Sequence, residues 1–224
     1  MSTVFRFILA GLAALLASLN GCGGGGGGST LSGIGGTGKI ASGTITGFGS
    51  IFVNDIEYDI DSASLEVNDD DSAGLSQDDL RIGMVVTVTA VVDGDTGVAS
   101  LVVYDNEIEG PVSGISELNG GLNKSFSVLG VGVLVDIADT EFDDGEVPGF
   151  SFATIANDDV VEISGFFDAS NVLHATYIKK TDDFDSDSEV EFKGTADVSL
   201  VDGAGSGDSF NLDGVTVNIL ADAD

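Results

Sequence analysis

His174 is the only histidine in this chain of 224 residues, and Cys22 is the only cysteine. Those two counts decide much of the chemistry within reach. A nucleophile–imidazole–acid triad needs a histidine held between its partners. Nothing around Val172-Leu173-His174-Ala175-Thr176 supplies such a spacing, so His174 reads as a strand residue at the surface or at a barrel mouth. Zinc and copper sites gather several imidazole or thiolate ligands, and one of each falls short. Carboxylates are plentiful, but a glycosidase needs one pair facing across a cleft, whereas these acids cluster in turns. Gly47-Phe48-Gly49 and Gly130-Val131-Gly132 lack the following helix and lysine of a phosphate loop. They read as hairpin glycines. No catalytic residues are expected, and a carbohydrate-active enzyme is the least favoured reading.

Calcium is the sharper idea. Asp183-Phe184-Asp185-Ser186-Asp187-Ser188-Glu189 spaces acids by two, and Asp93–Asp95 and Asp69–Asp71 add smaller groups. Calcium takes six to eight oxygens from carboxylates and carbonyls, which such turns can supply. The EF-hand template fails, because Ser188 stands at position six and Gly194 at position twelve. Asp183, Asp185, Asp187 and Glu189 are thus the calcium candidates, with a solvated acidic linker as the simpler account. Otherwise no cofactor is expected.

Cys22 points to a different chemistry. Arg6 precedes Phe7–Leu16, an almost wholly apolar segment. Charge followed by a short apolar run is the pattern of an export signal; spanning a bilayer would take roughly 20 residues. The run ends in Leu19-Asn20-Gly21-Cys22, which resembles the bacterial lipobox. That resemblance implies cleavage between Gly21 and Cys22, a thioether-linked diacylglycerol on the sulfur and an acyl chain such as palmitate on the new amino group. Several acyl chains satisfy the requirement that stable anchoring takes more than one. Gly23 rather than aspartate follows the cysteine, which implies sorting to the outer membrane. Gly23–Gly28 is a tether with no side chains to pack.

Composition narrows the partners. Asp and Glu number 38 against seven Lys and Arg, a formal charge of −31, and the leader removes only Arg6. Such a chain repels phosphate backbones, so nucleic-acid binding is excluded. The lipid must hold the membrane, and an envelope protein, glycan or peptide is the remaining kind of partner.

The elements that would position any site come from a repeat. Met84–Asp93 matches Asp159–Asp168 at an offset of 75: Val86, Val88, Ala90 and Val92 fall on Val161, Ile163, Gly165 and Phe167, while Thr87 and Thr89 fall on Glu162 and Ser164. Alternation of this kind marks strands with one face inward. Val53, Ile56, Tyr58 and Ile60 pair likewise with Val128, Val131, Val133 and Val135. Glu107–Thr140 also lies over Glu191–Asp224 at an offset of 84. The expected organisation is a signal peptide over 1–21, a lipidated tether over 22–38, modules over 39–105 and 106–180, an acidic linker over 181–188 and a partial module over 189–224. Truncation of a longer array is favoured for that last piece.

Each full module reads as five strands, about Ile40–Thr46, Ser50–Val53, Ile56–Val67, Met84–Val92 and Val98–Tyr104 in the first. Ser76–Arg81 is placed as a helical turn after the third. That order predicts an all-β chain of tandem, small OB-like antiparallel barrels with an incomplete third repeat; a β-sandwich is the alternative. The stretches GTITGFGSIFVNDIEYD, DLRIGMVVTVTAVVD and ASLVVYDNEIEGPV resemble the repeated module of domain-of-unknown-function family 5666, found in bacterial envelope lipoproteins. The resemblance implies OB-like envelope modules and no particular activity. Together these readings predict a lipid-anchored, non-enzymatic binding or structural protein, with a calcium-stabilised adhesin or scaffold as the alternative.

Overall fold

The computed structural model describes residues 38–68, 74–145, 147–185, 188, 190–194, 209–212 and 215–218. The first sheet holds β1 (Gly38–Phe48), β2 (Ile51–Val53), β3 (Ile56–Asp59), β4 (Ser64–Val67), β5 (Val85–Asp93) and β6 (Thr96–Tyr104). β1 pairs with β2, β2 with β3, β3 with β6 in parallel, β6 with β5, and β5 returns to β1. The ring is closed, which removes free edges over its length. β4 continues the line of β3 along β6, also in parallel. The single third strand expected over Ile56–Val67 is thus two pieces, with a turn at Asp61 and Ser62 between them.

β7 (Ile108–Leu118), β8 (Asn123–Val128), β9 (Val131–Asp136), β10 (Glu141–Asp143), β11 (Asp159–Phe167) and β12 (Val172–Asp183) form a second sheet. Its pairings repeat the first in order and sense. Even the irregularity recurs, between Thr89 and Ala90 opposite β6 and between Ser164 and Gly165 opposite β12. Ser100 and Thr176 are the equivalent extra residues. Ser100 Oγ donates to the Thr89 carbonyl at 3.1 Å, and Thr176 Oγ1 lies 3.2 Å from the equivalent Ser164 carbonyl. The chain is all-β, and closed rings displace the sandwich alternative.

Local chemistry accounts for the turns. Asn54 and Asp55 adopt φ of 52° and 63°, the doubly left-handed conformation of a tight hairpin. Gly49 and Gly130 also have positive φ, whereas Gly47 lies within β1 and Gly132 within β9. Inward residues follow the offset of 75: Val53, Tyr58, Ile60, Val86 and Val88 are buried in one core, and Val128, Val133, Val135, Val161 and Ile163 in the other. The match weakens at the barrel end, where Val92 is half-buried and Phe167 is exposed.

One expected outward residue is not outward. Ser164 is fully buried, because the outer face of β11 and β12 is where the barrels meet. Gly83 sits at the tip of the turn before β5 with φ of 92°. A Cβ there would lie 2.5 Å from the Thr176 carbonyl oxygen. Thr176 Oγ1 donates to the Gly83 carbonyl at 2.6 Å, and the Val85 amide donates to Ser164 Oγ at 2.9 Å. Tyr177, from β12, is buried in the core of the first barrel.

The second barrel has the same turn with a different residue at its tip. Asp158 has φ of 70° and its amide donates to the Val112 carbonyl at 2.9 Å, as the Gly83 amide does to the Ile45 carbonyl. Its side chain bars the close approach that Gly83 permits, and its carbonyl accepts the Phe184 amide at 2.8 Å. The next segment attaches elsewhere: β13 (Glu191–Phe192) pairs with the start of β7. β14 (Ser209–Leu212) and β15 (Val215–Asn218) form a hairpin in a sheet of their own.

Replacing Gly83 with alanine imposes both left-handed strain and a backbone clash, at a combined expected cost of about 2–4 kcal/mol. Gly94→Ala is the control, since Gly94 has φ of 66° and open space around its Cβ position; it should cost about 1 kcal/mol. Urea unfolding of both variants checks this, and equal losses would show that the joint tolerates a methyl group.

Candidate functional site

The junction encloses a cleft of about 370 Å³, lined from both barrels. The first barrel contributes Val67, Asn68, Leu75, Asp79, Arg81, Met84 and Tyr104. The second contributes Asp143, Gly145, Glu162, Tyr177 and Lys179. The volume lies at the small end of the range for ligand sites, roughly 300–1,000 Å³.

Arg81 is placed by the short 3-10 turn Gln77–Asp79. Ser76 caps it reciprocally: the Asp78 amide donates to Ser76 Oγ at 3.2 Å, and the Ser76 amide donates to Asp79 Oδ2 at 2.7 Å. Two orphan amides are thereby satisfied by a capping box. The guanidinium folds back on the turn, with Nη1 donating to the Leu80 carbonyl at 2.9 Å. Its Nε then reaches across the junction to Asp143 Oδ2 at 3.2 Å. The helical turn expected over Ser76–Arg81 thus supplies a cleft residue.

Asp143 ends β10 and is the most engaged group of the cleft. The Gly145 amide donates to its Oδ1 and the Tyr177 hydroxyl to its Oδ2, both at 2.8 Å. Burial acts to raise its pKa. The two hydrogen bonds and the positive charges of Arg81 and Lys179 outweigh burial and hold it below the ordinary 3.8. Lys179 faces Glu162 at 3.6 Å.

The two tyrosines are opposite cases. Their rings meet edge to face, 6.4 Å apart at 87°. Tyr177 gives its hydroxyl to Asp143. Tyr104 is buried, and its hydroxyl has no hydrogen-bond partner among the described residues. Burial, with Glu162 and the neighbouring acids adding to it, pushes the Tyr104 hydroxyl far above the usual phenol range. It therefore remains a donor at any working pH.

Residues 109–179 match the family described as a domain of unknown function (DUF5666). The second barrel thus resembles a DUF5666 module. The matched stretch begins in β7 and ends in β12, so it includes Asp143, Glu162, Tyr177 and Lys179 of the cleft. The first barrel, with the same strand pairings, brings the rest. No curated protein and no solved structure matches the chain.

The residues singled out from the sequence lie away from this cleft. His174 is exposed on the second barrel, 3.2 Å from Asp168. The amides of Val172 and Ser170 hold the Asp168 carboxyl below its ordinary value. Asp183 belongs to the end of β12, inside the stretch expected as linker, and its carboxylate takes Lys180 Nζ at 2.6 Å. The Asp185 amide donates to Ser188 Oγ at 2.9 Å. Asp187 and Glu189 lie outside the described residues, as do Gly21 and Cys22. Among the described residues no three His, Cys, Asp or Glu side chains come together as a metal site.

Sequence reasoning missed Arg81, Asp143, Tyr104 and Tyr177. One signal was available. The chain has only three tyrosines and seven basic residues, and two of each line one cleft.

Asp143 is held below its unfolded value, so its contribution to stability is complete at neutral pH. That contribution is lost as pH falls below 3.8 through the folded value. Tyr177→Phe removes one donor and should move the Asp143 titration midpoint upward. Carboxyl-carbon NMR titration of the two proteins reads this, and an unmoved midpoint would mean that the hydroxyl does not hold the carboxylate.

Proposed function

We propose that the chain is a lipid-anchored protein of the bacterial cell envelope, whose OB-like barrels form one stiff, non-catalytic binding module. The joint between the barrels carries the reading. Barrels strung on a flexible linker could reorient freely, but here Tyr177 packs into the neighbouring core and Gly83 meets Thr176 backbone to backbone. A stiff pair fixes a cleft of constant shape, which suits recognition.

The anchor is argued from the leader. An apolar run, a cysteine following Leu19-Asn20-Gly21 and a glycine tether together suit lipidation at Cys22, with Gly23 favouring the outer membrane. The lipid supplies membrane affinity that so acidic a surface cannot. The closed ring order of strands supports the OB-like assignment, and OB-like barrels commonly bind ligands on the barrel face and its loops, an analogy of fold alone.

Metabolic labelling with an alkyne analogue of palmitate tests the anchor. Wild-type protein should take up label and migrate as the processed form. Cys22→Ala should take up none and keep its leader. Label retained on the alanine variant would refute lipidation at Cys22.

A further inference from the structure

We propose that the outer face of β5 and β6 on the first barrel is a docking face for the glycine-tipped turn of a further barrel of this kind. The proposal goes beyond the junction cleft and does not depend on the anchor at Cys22.

The joint itself shows what such a face holds. On the second barrel, the outer face of β11 and β12 receives the Gly83 turn. Ser164 Oγ accepts the Val85 amide, Thr176 Oγ1 donates to the Gly83 carbonyl, and Tyr177 enters the neighbouring core. Strand register identifies the matching residues on the first barrel. Thr89 stands opposite Leu101 as Ser164 stands opposite Tyr177, and Ser100 is the extra residue where the second barrel has Thr176. Both hydroxyls of the joint are therefore present a second time, and Leu101 supplies the apolar bulk of Tyr177. Glu66 pairs with Val103 as Asp143 pairs with Lys179. The carboxylate that meets Arg81 across the joint thus has its counterpart too.

This second face is open among the described residues. Ser164 and Tyr177 are buried, whereas Thr89 and Leu101 are half-buried and Ser100 is exposed. Val91 and Val98, cross-strand neighbours at one end, are 47 % and 55 % exposed. Neither Thr87–Val91 nor Val98–Val103 contains a charged residue. On a chain of net charge −31, an apolar strip without charge is where another acidic barrel approaches with least repulsion.

The joint also sets the signature of the occupant. Its turn needs glycine at the tip, because a Cβ there meets a backbone carbonyl. It needs an amide two residues later for the Thr89 hydroxyl, and a cation two residues earlier for Glu66, as Arg81 precedes Gly83. A second copy of this chain does not fit. Its Gly83 turn is already docked on its own second barrel, and its other turn carries Asp158 at the tip. The contact is heterologous, turn against face, so it adds barrels head to tail.

The test supplies such a turn to the full mature chain by repeating residues 38–104 directly before Gly38. Tyr104 of the added barrel then precedes Ala41 by the same four positions that separate Tyr104 from Ile108, its register equivalent. Thr89→Cys in the original barrel reports cover, through maleimide labelling read on its own peptide. The thiol should label readily in the chain without the added barrel. With the added barrel, labelling should slow at least about tenfold, since a buried thiol is inert. Gly83→Asp in the added barrel alone should restore the fast rate.

Unslowed labelling, or slowing that survives Gly83→Asp, would overturn the proposal. So would slow labelling without the added barrel, which would mean that the chain covers this face itself. Circular dichroism checks that the added barrel folds. If it does not, a cyclic peptide spanning Leu80–Val86 decides by NMR on the natural chain. It should shift the amides of Thr89 and Leu101 where the Gly83→Asp peptide does not, and absent shifts would overturn the docking face. None of these results bears on lipidation at Cys22, and a failed palmitate labelling leaves the docking result intact.

Discussion

Everything specific about this molecule depends on two backbones touching at Gly83 and Thr176. The approach is too close for any side chain at position 83, and it is sealed by a hydroxyl–carbonyl hydrogen bond from Thr176. With the backbones so near, the Tyr177 side chain reaches into the first barrel's core and Ser164 is buried against Val85. Arg81 and Asp143, 62 positions apart in the chain, come within ion-pair distance for the same reason. The cleft is a by-product of that contact rather than a feature of either barrel.

The repeat explains why the contact happens once. Both barrels possess the turn and both possess the face with its extra residue, so two copies of each half of the joint exist. Only the turn of the first barrel is tipped by glycine. Asp158 carries a Cβ and a charge where Gly83 carries neither, and Phe184 already occupies its carbonyl. The segment after the second barrel docks on the β7 edge instead. One substitution at a turn tip therefore divides two packing modes within a single chain.

Charge is distributed unevenly in a way that matters. A surface so rich in carboxylates repels other acids, and that needs no particular geometry. The few cations are placed with geometry. Lys180 is held between Asp159 and Asp183 at 2.6 Å each; burial works against its charge, but those acids raise its pKa. Arg81 and Lys179 stand in the junction cleft. Arg81, Lys179 and Lys180 thus serve as struts between strands and barrels.

Much of the fold was legible in the sequence, because strand alternation and turn residues are local properties. Val86, Val88, Val161 and Ile163 announce inward faces by their spacing alone, Asn54-Asp55 announces a hairpin, and the offset of 75 predicts that two modules share one plan. The site was not legible. Glu162 and Ser164 occupy outward positions by alternation, and nothing local distinguishes an outward residue facing water from one facing another barrel. Tyr177 looks like a surface tyrosine until the neighbouring core surrounds it. The sequence by itself determined most strands and turns, since each is set by residues close along the chain. Only the tertiary structure decided which outer face is buried and which tyrosine hydroxyl has no partner among the described residues, because both depend on contacts between residues of different barrels.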